Sequence, residues 1–420
     1  MRRKLILAAL FTLSALLFLV RGRSDGTYGD LAPNYAGAHC LFSRCNPYNV
    51  PVLQQQLLSH GANPAKFVTP LAGRPSNYPP LTFLLLAPMA FLSYPAASLA
   101  YFWLSALSLI TACFLTIILC PPEGRTFTAL AVCAVLMTSG MLLRLGNPST
   151  LSMALVVMGS MLFLNRSQLP LGAIMLAYAA GLKPQLAVPL VVFFCFHRST
   201  RKYALGALGA FVLASLAACI ELTYRLHSTT WIRDLVQGIH SAVGPGIETG
   251  LLNLSSVTQL LSGDSSVYRY VDLIVFILIA LLLWIAFLRS RGDENAQWVF
   301  AAAVSYFTLL AVYHRFYDMR LQILTFPALG LLWRRSWKLP AVLTVVASMM
   351  LFSTAVLIEN WSISHFGPQI AEKLFFRVFV ERQQALAVLL GSVMWTVAAL
   401  RTASQPSLTE ERSTVDAGAA

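Results

Sequence analysis

A chain of 420 residues with 57 % hydrophobic and only 11 % charged residues, and a mean hydropathy of +0.68, departs far from the roughly 25 % charge of a soluble domain. Apolar runs recur along nearly the whole length, which excludes a soluble fold and describes one membrane-embedded unit over residues 1–400. The net charge of +13 lies in short clusters between those runs (Arg2 to Lys4, Arg198 to Lys202, Arg289 and Arg291, Arg334 to Lys338, Arg401), the pattern of cytoplasmic anchors and not of a nucleic-acid surface.

Residues 5–20 are apolar behind three basic residues, and Arg21-Gly22-Arg23 follows where a small-residue cleavage site would stand, so the run reads as an uncleaved first helix with a cytoplasmic N-terminus. Residues 21–77 are polar and rich in Pro, Gly and Asn, a large first outer loop in which residues 52–60 suggest a short amphipathic surface helix. Apolar runs follow at 79–93, 97–119, 126–143, 150–164 and 169–196. The last is long for one span and short for two. Basic clusters at 2–4 and 198–202 both belong inside, so an even number of crossings separates them, and 169–196 counts as one crossing kinked at Pro184. One run between 126 and 182 being re-entrant is the alternative, which would move Gly146-Asn147 to the other face.

Spans near 204–220 and 269–288 then bracket a second outer segment, 221–268; spans near 297–313 and 317–333 bracket the turn Tyr313 to Asp318; spans near 339–358 and 384–400 bracket an outer segment with Trp361, His365 and Arg377. The expectation is about twelve transmembrane helices with both ends cytoplasmic and a disordered tail at 401–420.

The cysteines show no metal-ligand spacing. Cys113, Cys120, Cys133, Cys195 and Cys219 lie in or beside apolar runs as small buried thiols, whereas Cys40 and Cys45 share the outer loop, where a disulfide can form. Walker, nucleophile-elbow, zincin and paired-carboxylate metal motifs are absent, which disfavours a nucleotide-fuelled pump or a metalloprotease.

Ionisable residues near a membrane are costly and mark candidate sites. They gather in three places: Asp25, Asp30, His39, Arg44 and Arg74 in the first outer loop; Lys183 within an apolar run, followed at once by Gln185; and His314, Arg315, Asp318 and Arg320 at an outer turn. A loop carboxylate facing cations from later spans suits group transfer from a phosphate leaving group, the acid taking a proton from the attacking hydroxyl. Asp30 capping a loop helix or pairing with Arg44 is the plain structural alternative. Lys183 either lines a cavity opened at Pro184 or snorkels to the interface. On a helix, the four-residue spacing puts Asp318 beside His314 to orient its imidazole, while Tyr313, Phe316 and Tyr317 argue instead for an interfacial belt.

Asp30 followed by Tyr35-Ala36-Gly37-Ala38, then Pro47-Tyr48, then Tyr78-Pro79-Pro80-Leu81 with Ala87-Pro88 in the next span, resembles glycosyltransferase family 87. Gly146-Asn147, Gly181 to Gln185 and a late His314 ahead of Pro327 are similar to further features of that family. The resemblance implies a GT-C type membrane fold, a polyprenyl-phosphate-linked sugar donor, typically mannose, no cofactor, and inverting transfer to a lipid or glycan acceptor on the outer face of the plasma membrane. Asp30 would then be the general base, with Tyr35, Tyr78, Lys183, Gln185, His314, Arg315 and Asp318 at the substrates. Asp25 lies close enough to compete for the basic role. A secondary transporter or flippase is the reading from another class; it would show matched halves with paired broken helices, and no such pairing is visible in the sequence.

Overall fold

The computed structural model describes residues 2–23, 29–63, 76–243, 252–262, 265–290, 294–311, 314–334, 341–343, 345 and 355–403. Asp25, Arg74, Tyr313, residues 404–420 of the tail and most of the 339–358 run lie outside the described residues. Among the described residues there is no strand, and the chain is an all-α membrane protein. It divides into two compact units, residues 1–120 with 125–248 and residues 121–124 with 249–420.

In the first unit, α1 (Arg2–Gly22) packs on α6 (Arg125–Thr138) and α7 (Gly140–Leu145). The first loop is more ordered than its composition suggests. It holds α2 (Leu31–Ser43) and α3 (Val50–Ser59), the latter at the expected surface segment, and is followed by α4 (Pro80–Leu86), which runs into a 3-10 turn, Ala87–Phe91. Helix α2 lies against α3, α4 and that turn, and ten of its residues are buried. The Cys40–Cys45 disulfide forms where α2 ends, with Cα atoms 4.6 Å apart.

The centre of the unit is α8 (Pro148–Leu164), apolar on every side and buried along nearly its full length, as a helix without a polar face must be. It packs against α5 (Tyr94–Leu119) and α9 (Leu169–Leu182). A Cβ on Gly159 would stand 2.9 Å from the Gly172 carbonyl and 2.8 Å from Leu176, so a glycine lets the α8 and α9 backbones approach closely. Beyond α9 come α10 (Pro184–Phe196), α11 (Arg201–Leu226) and α12 (Thr230–Val243).

The 169–196 run, expected to kink at Pro184, is two helices that break there. Pro184 bars its predecessor from helical geometry, and Lys183, at φ −151° and ψ 86°, ends α9 and begins α10.

In the second unit, α13 (Ser255–Ser262) packs on α14 (Ser265–Arg289), and α15 (Glu294–Ala311) packs on a ten-residue 3-10 helix, Phe316–Thr325. Then come α16 (Phe326–Arg334), α17 (Ala355–Phe366) and α18 (Gln383–Thr402), the last lying against α14 and α15. Asp272 is buried within α14, where it accepts hydrogen bonds from Ser255 Oγ at 2.5 Å and Thr258 Oγ1 at 2.7 Å. That carboxylate ties α13 to α14.

Among the described residues, five helices are long and apolar enough to cross a membrane: Arg3–Gly22, Tyr94–Leu119, Arg201–Leu226, Val267–Arg289 and Gln383–Thr402. At 20–26 residues each, they reach the roughly 30 Å of a hydrocarbon core. Six further apolar helices of 10–17 residues fall at or within the other expected spans.

Candidate functional site

The sequence Leu145-Gly146-Asn147-Pro148 builds the head of α8. Gly146 closes α7 in the left-handed region at φ 65°, Asn147 is extended at the N-cap, and Pro148 takes the first helical position. Each residue type is favoured at its place. Asn147 Oδ1 accepts from the Ser149 backbone N–H at 2.8 Å, the Ser149 hydroxyl at 2.5 Å and the Tyr78 hydroxyl at 2.9 Å. The Tyr101 hydroxyl donates to the Asn147 carbonyl at 3.2 Å. Asn147 and Ser149 are both buried.

Asp30 stands directly before α2, with its backbone N–H on the Leu145 carbonyl at 3.0 Å and its own carbonyl accepting from Asn34 Nδ2 at 2.9 Å. It occupies the cap position of α2 but does not cap it with its side chain. Instead Asp30 Oδ2 accepts from Asn147 Nδ2 at 2.9 Å. Arg44 lies at the opposite end of α2, roughly 20 Å away along a helix of that length. Neither plain structural reading of Asp30 therefore describes it. The carboxylate is half-buried and is aimed at the head of the central helix.

Lys183 is not a snorkelling side chain. It is 4 % exposed, and its Nζ donates to Ser149 Oγ at 2.6 Å. The break that places it is pinned by Thr82 Oγ1, which hydrogen-bonds the carbonyls of Gly181 at 3.1 Å and Leu182 at 3.2 Å. Asp30, Tyr78 and Lys183, separated widely in the chain, therefore meet through Asn147 and Ser149. Tyr78 is held from behind, its carbonyl accepting from the Tyr48 hydroxyl at 2.9 Å.

The other first-unit candidates stand apart from this network. Tyr35 is fully buried and its hydroxyl donates to the Leu92 carbonyl at 2.6 Å, fixing α2 on the Ala87–Phe91 turn. Its ring packs edge-on to His39, whose own ring lies 3.7 Å from that of His60. Burial and the neighbouring His60 lower the His39 pKa to about 4, and burial raises that of Tyr35 to about 12. Gln185 is half-buried in the first turn of α10.

In the second unit the expected His314–Asp318 contact is present, with Nδ1 and Oδ2 3.0 Å apart and both side chains fully buried. The geometry is not that of an α-helical face. Arg315 is extended before the 3-10 helix, and its N–H donates to the same Asp318 oxygen at 3.3 Å while Asp318 N–H returns to the Arg315 carbonyl at 2.8 Å. The His314 carbonyl accepts from Leu252 N–H at 3.0 Å. Among the described residues no three His, Cys, Asp or Glu side chains gather as a metal site.

Charge alone does not point to Asn147 or Ser149; Asn147 entered only through the Gly146-Asn147 pair of the family resemblance, and Ser149 not at all. Their signal was the Gly146-Asn147-Pro148 cap pattern, which locates a helix start without saying what faces it.

An all-helical membrane protein that brings a carboxylate against a buried, lysine-anchored polar network at a helix head has the parts of a membrane-embedded transferase. The chain belongs to glycosyltransferase family 87, whose model matches residues 77–312. It is a membrane glycosyltransferase and works between a sugar donor and an acceptor. Tyr78, Asn147, Ser149 and Lys183 fall inside the matched segment, while Asp30 precedes it and His314 lies just beyond it. No curated protein and no solved structure matches the chain.

Proposed function

We propose that the protein transfers a sugar, mannose, from a polyprenyl-phosphate donor to a hydroxyl of a lipid or glycan acceptor, with inversion, on the outer face of the plasma membrane. The observation that carries this reading is the Asp30 carboxylate, turned away from its own helix and held by Asn147 at 2.9 Å. A general base must be ionised, placed and within reach of solvent-side substrate; Asp30 is half-buried in a loop and is gripped by a donor. The acceptor hydroxyl gives its proton to Asp30 as its oxygen bonds to the anomeric carbon. On the opposite face the bond from that carbon to the phosphate oxygen breaks, and polyprenyl phosphate departs with the electron pair. The family resemblance implies that cations stabilise the charge growing on that phosphate, the role it gives His314 and Arg315; in the first unit, Tyr78 and Gln185 are the proposed substrate contacts.

The disulfide at Cys40–Cys45 supports an outer, oxidising side for the loop. Both termini are then cytoplasmic across about twelve spans, with 169–196 counted as one crossing broken at Lys183, an irregular backbone that is tolerated where it is buried in protein.

The test is transfer of label from polyprenyl-phosphate mannose to the membrane lipid and glycan fraction, comparing wild type with Asp30→Asn in a strain lacking the gene. Asp30→Asn should lose transfer by about a thousandfold or more while inserting and melting as the wild type does. Near-normal turnover in Asp30→Asn removes Asp30 from the base role. Absence of any labelled product with the wild type, when other prenyl-linked sugars are also supplied, overturns the donor assignment.

A further inference from the structure

Hydrogen-bond direction along the chain Lys183, Ser149, Asn147, Asp30 is dictated at both ends. An ammonium has donors only, so at Ser149 Oγ, 2.6 Å from Lys183 Nζ, the serine oxygen accepts and its own proton turns to Asn147 Oδ1 at 2.5 Å. The Ser149 backbone N–H, also a donor only, points at that same Oδ1 from 2.8 Å. The Tyr78 hydroxyl adds a third donor. An Asn147 flipped by 180° would set its NH2 against the Ser149 N–H, donor on donor, so the amide nitrogen faces Asp30 Oδ2. That contact calls for an acceptor, which the ionised carboxylate is.

We propose that Asn147 is a positioning residue for Asp30, its sense held by the Ser149 N–H, and that Lys183 acts through Ser149 to strengthen its amide as a donor. The charge of Lys183 thereby reaches the carboxylate as a one-way series of donors, and each donation polarises the next. Lys183 is accordingly assigned a role at the base. This inference rests on Asp30 being the general base. Tyr78 and Tyr101 are the other titratable side chains touching Asn147, and neither supplies a proton-accepting alternative in this arrangement.

The experiment measures kcat, donor KM and the pH dependence of kcat/KM for full-length protein in lipid, comparing wild type with Asn147→Asp, Ser149→Ala, Ser149→Thr and Lys183→Met. Loss of a hydrogen bond to a charged group lowers kcat about tenfold to a hundredfold, so Asn147→Asp and Ser149→Ala should fall in that range with donor KM nearly unchanged. The acid limb of the profile should move to higher pH by about one unit, because a carboxylate that loses a donor is protonated more easily. Ser149→Thr keeps the hydroxyl and should restore most of the rate; Lys183→Met should follow Ser149→Ala in both kcat and acid limb. Lower kcat with an unmoved acid limb, or a raised donor KM in Lys183→Met with normal kcat, overturns the inference. Should Asp30→Asn abolish transfer while these variants match wild type, this inference falls and the base assignment stands; active Asp30→Asn removes both.

Discussion

Gly37 offers a test in which position and stability separate. It lies in α2, seven residues after Asp30, and a Cβ placed on it would stand 2.6 Å from Phe83 Cε1 and 2.7 Å from Cδ1. Phe83 is fully buried among Tyr48, Leu41, Leu222 and Trp231, with the Tyr48 ring at 5.6 Å, so the ring has nowhere to swing. In Gly37→Ala the helix must therefore give way by about 0.4–0.8 Å, from 2.6 Å to between 3.0 Å and an ordinary 3.4 Å contact. Overpacking costs about 1–3 kcal/mol, and alanine returns about 1 kcal/mol of helix propensity. The net loss of stability is then only about 0–2 kcal/mol. The same shift carried to the head of α2 lengthens the 2.9 Å Asp30–Asn147 contact to as much as about 3.7 Å, beyond hydrogen-bonding range. Losing that bond is worth about 1.5–3 kcal/mol, or roughly a tenfold to hundredfold loss of turnover. Initial transfer rates and thermal midpoints of Gly37→Ala in lipid nanodiscs check this. A turnover within about twofold of wild type, or a loss matched by wholesale unfolding, refutes the claim that α2 sets the base.

Three further outcomes are expected. Replacing Cys40 and Cys45 by Ser should cost about 2 kcal/mol, since the bridge closes a loop with a separation of only five residues; two additional alkylatable thiols after reduction of the wild type would confirm the bond. His39, held at a pKa of about 4 against its usual 6.5 by burial and by His60, refuses a proton that the unfolded chain accepts between those values, so stability should decline as pH falls from about 6.5 to about 4 and level off below. His39→Gln should flatten that decline in thermal midpoints recorded from pH 7 to 4. Asp318→Ala deprives buried His314 Nδ1 and the Arg315 N–H of their acceptor and should destabilise by about 1–3 kcal/mol, read by thermal unfolding, with a rise in donor KM.

What was legible in the sequence followed from cost. Asp30, Lys183 and His314 stood out because ionisable groups near a bilayer need a reason, and the first two do end in one network. Asn147 is uncharged, so the same criterion passed over it. The hydrophobic runs located most helices, yet α2 escaped, because its buried residues set Leu31, Tyr35 and Leu41 among Ala, Gly, Asn, His and Cys with no apolar period. The break between α9 and α10 was hidden for a related reason: both halves are apolar, so periodicity sees one run. Pro184 marked the place, but proline acts on the residue before it, and that residue is Lys183. A local backbone rule thus carries functional consequence here. Had the helix continued through residue 183, the lysine would have stayed on a helical surface; the extended conformation at the break instead delivers its ammonium to Ser149 at the head of α8.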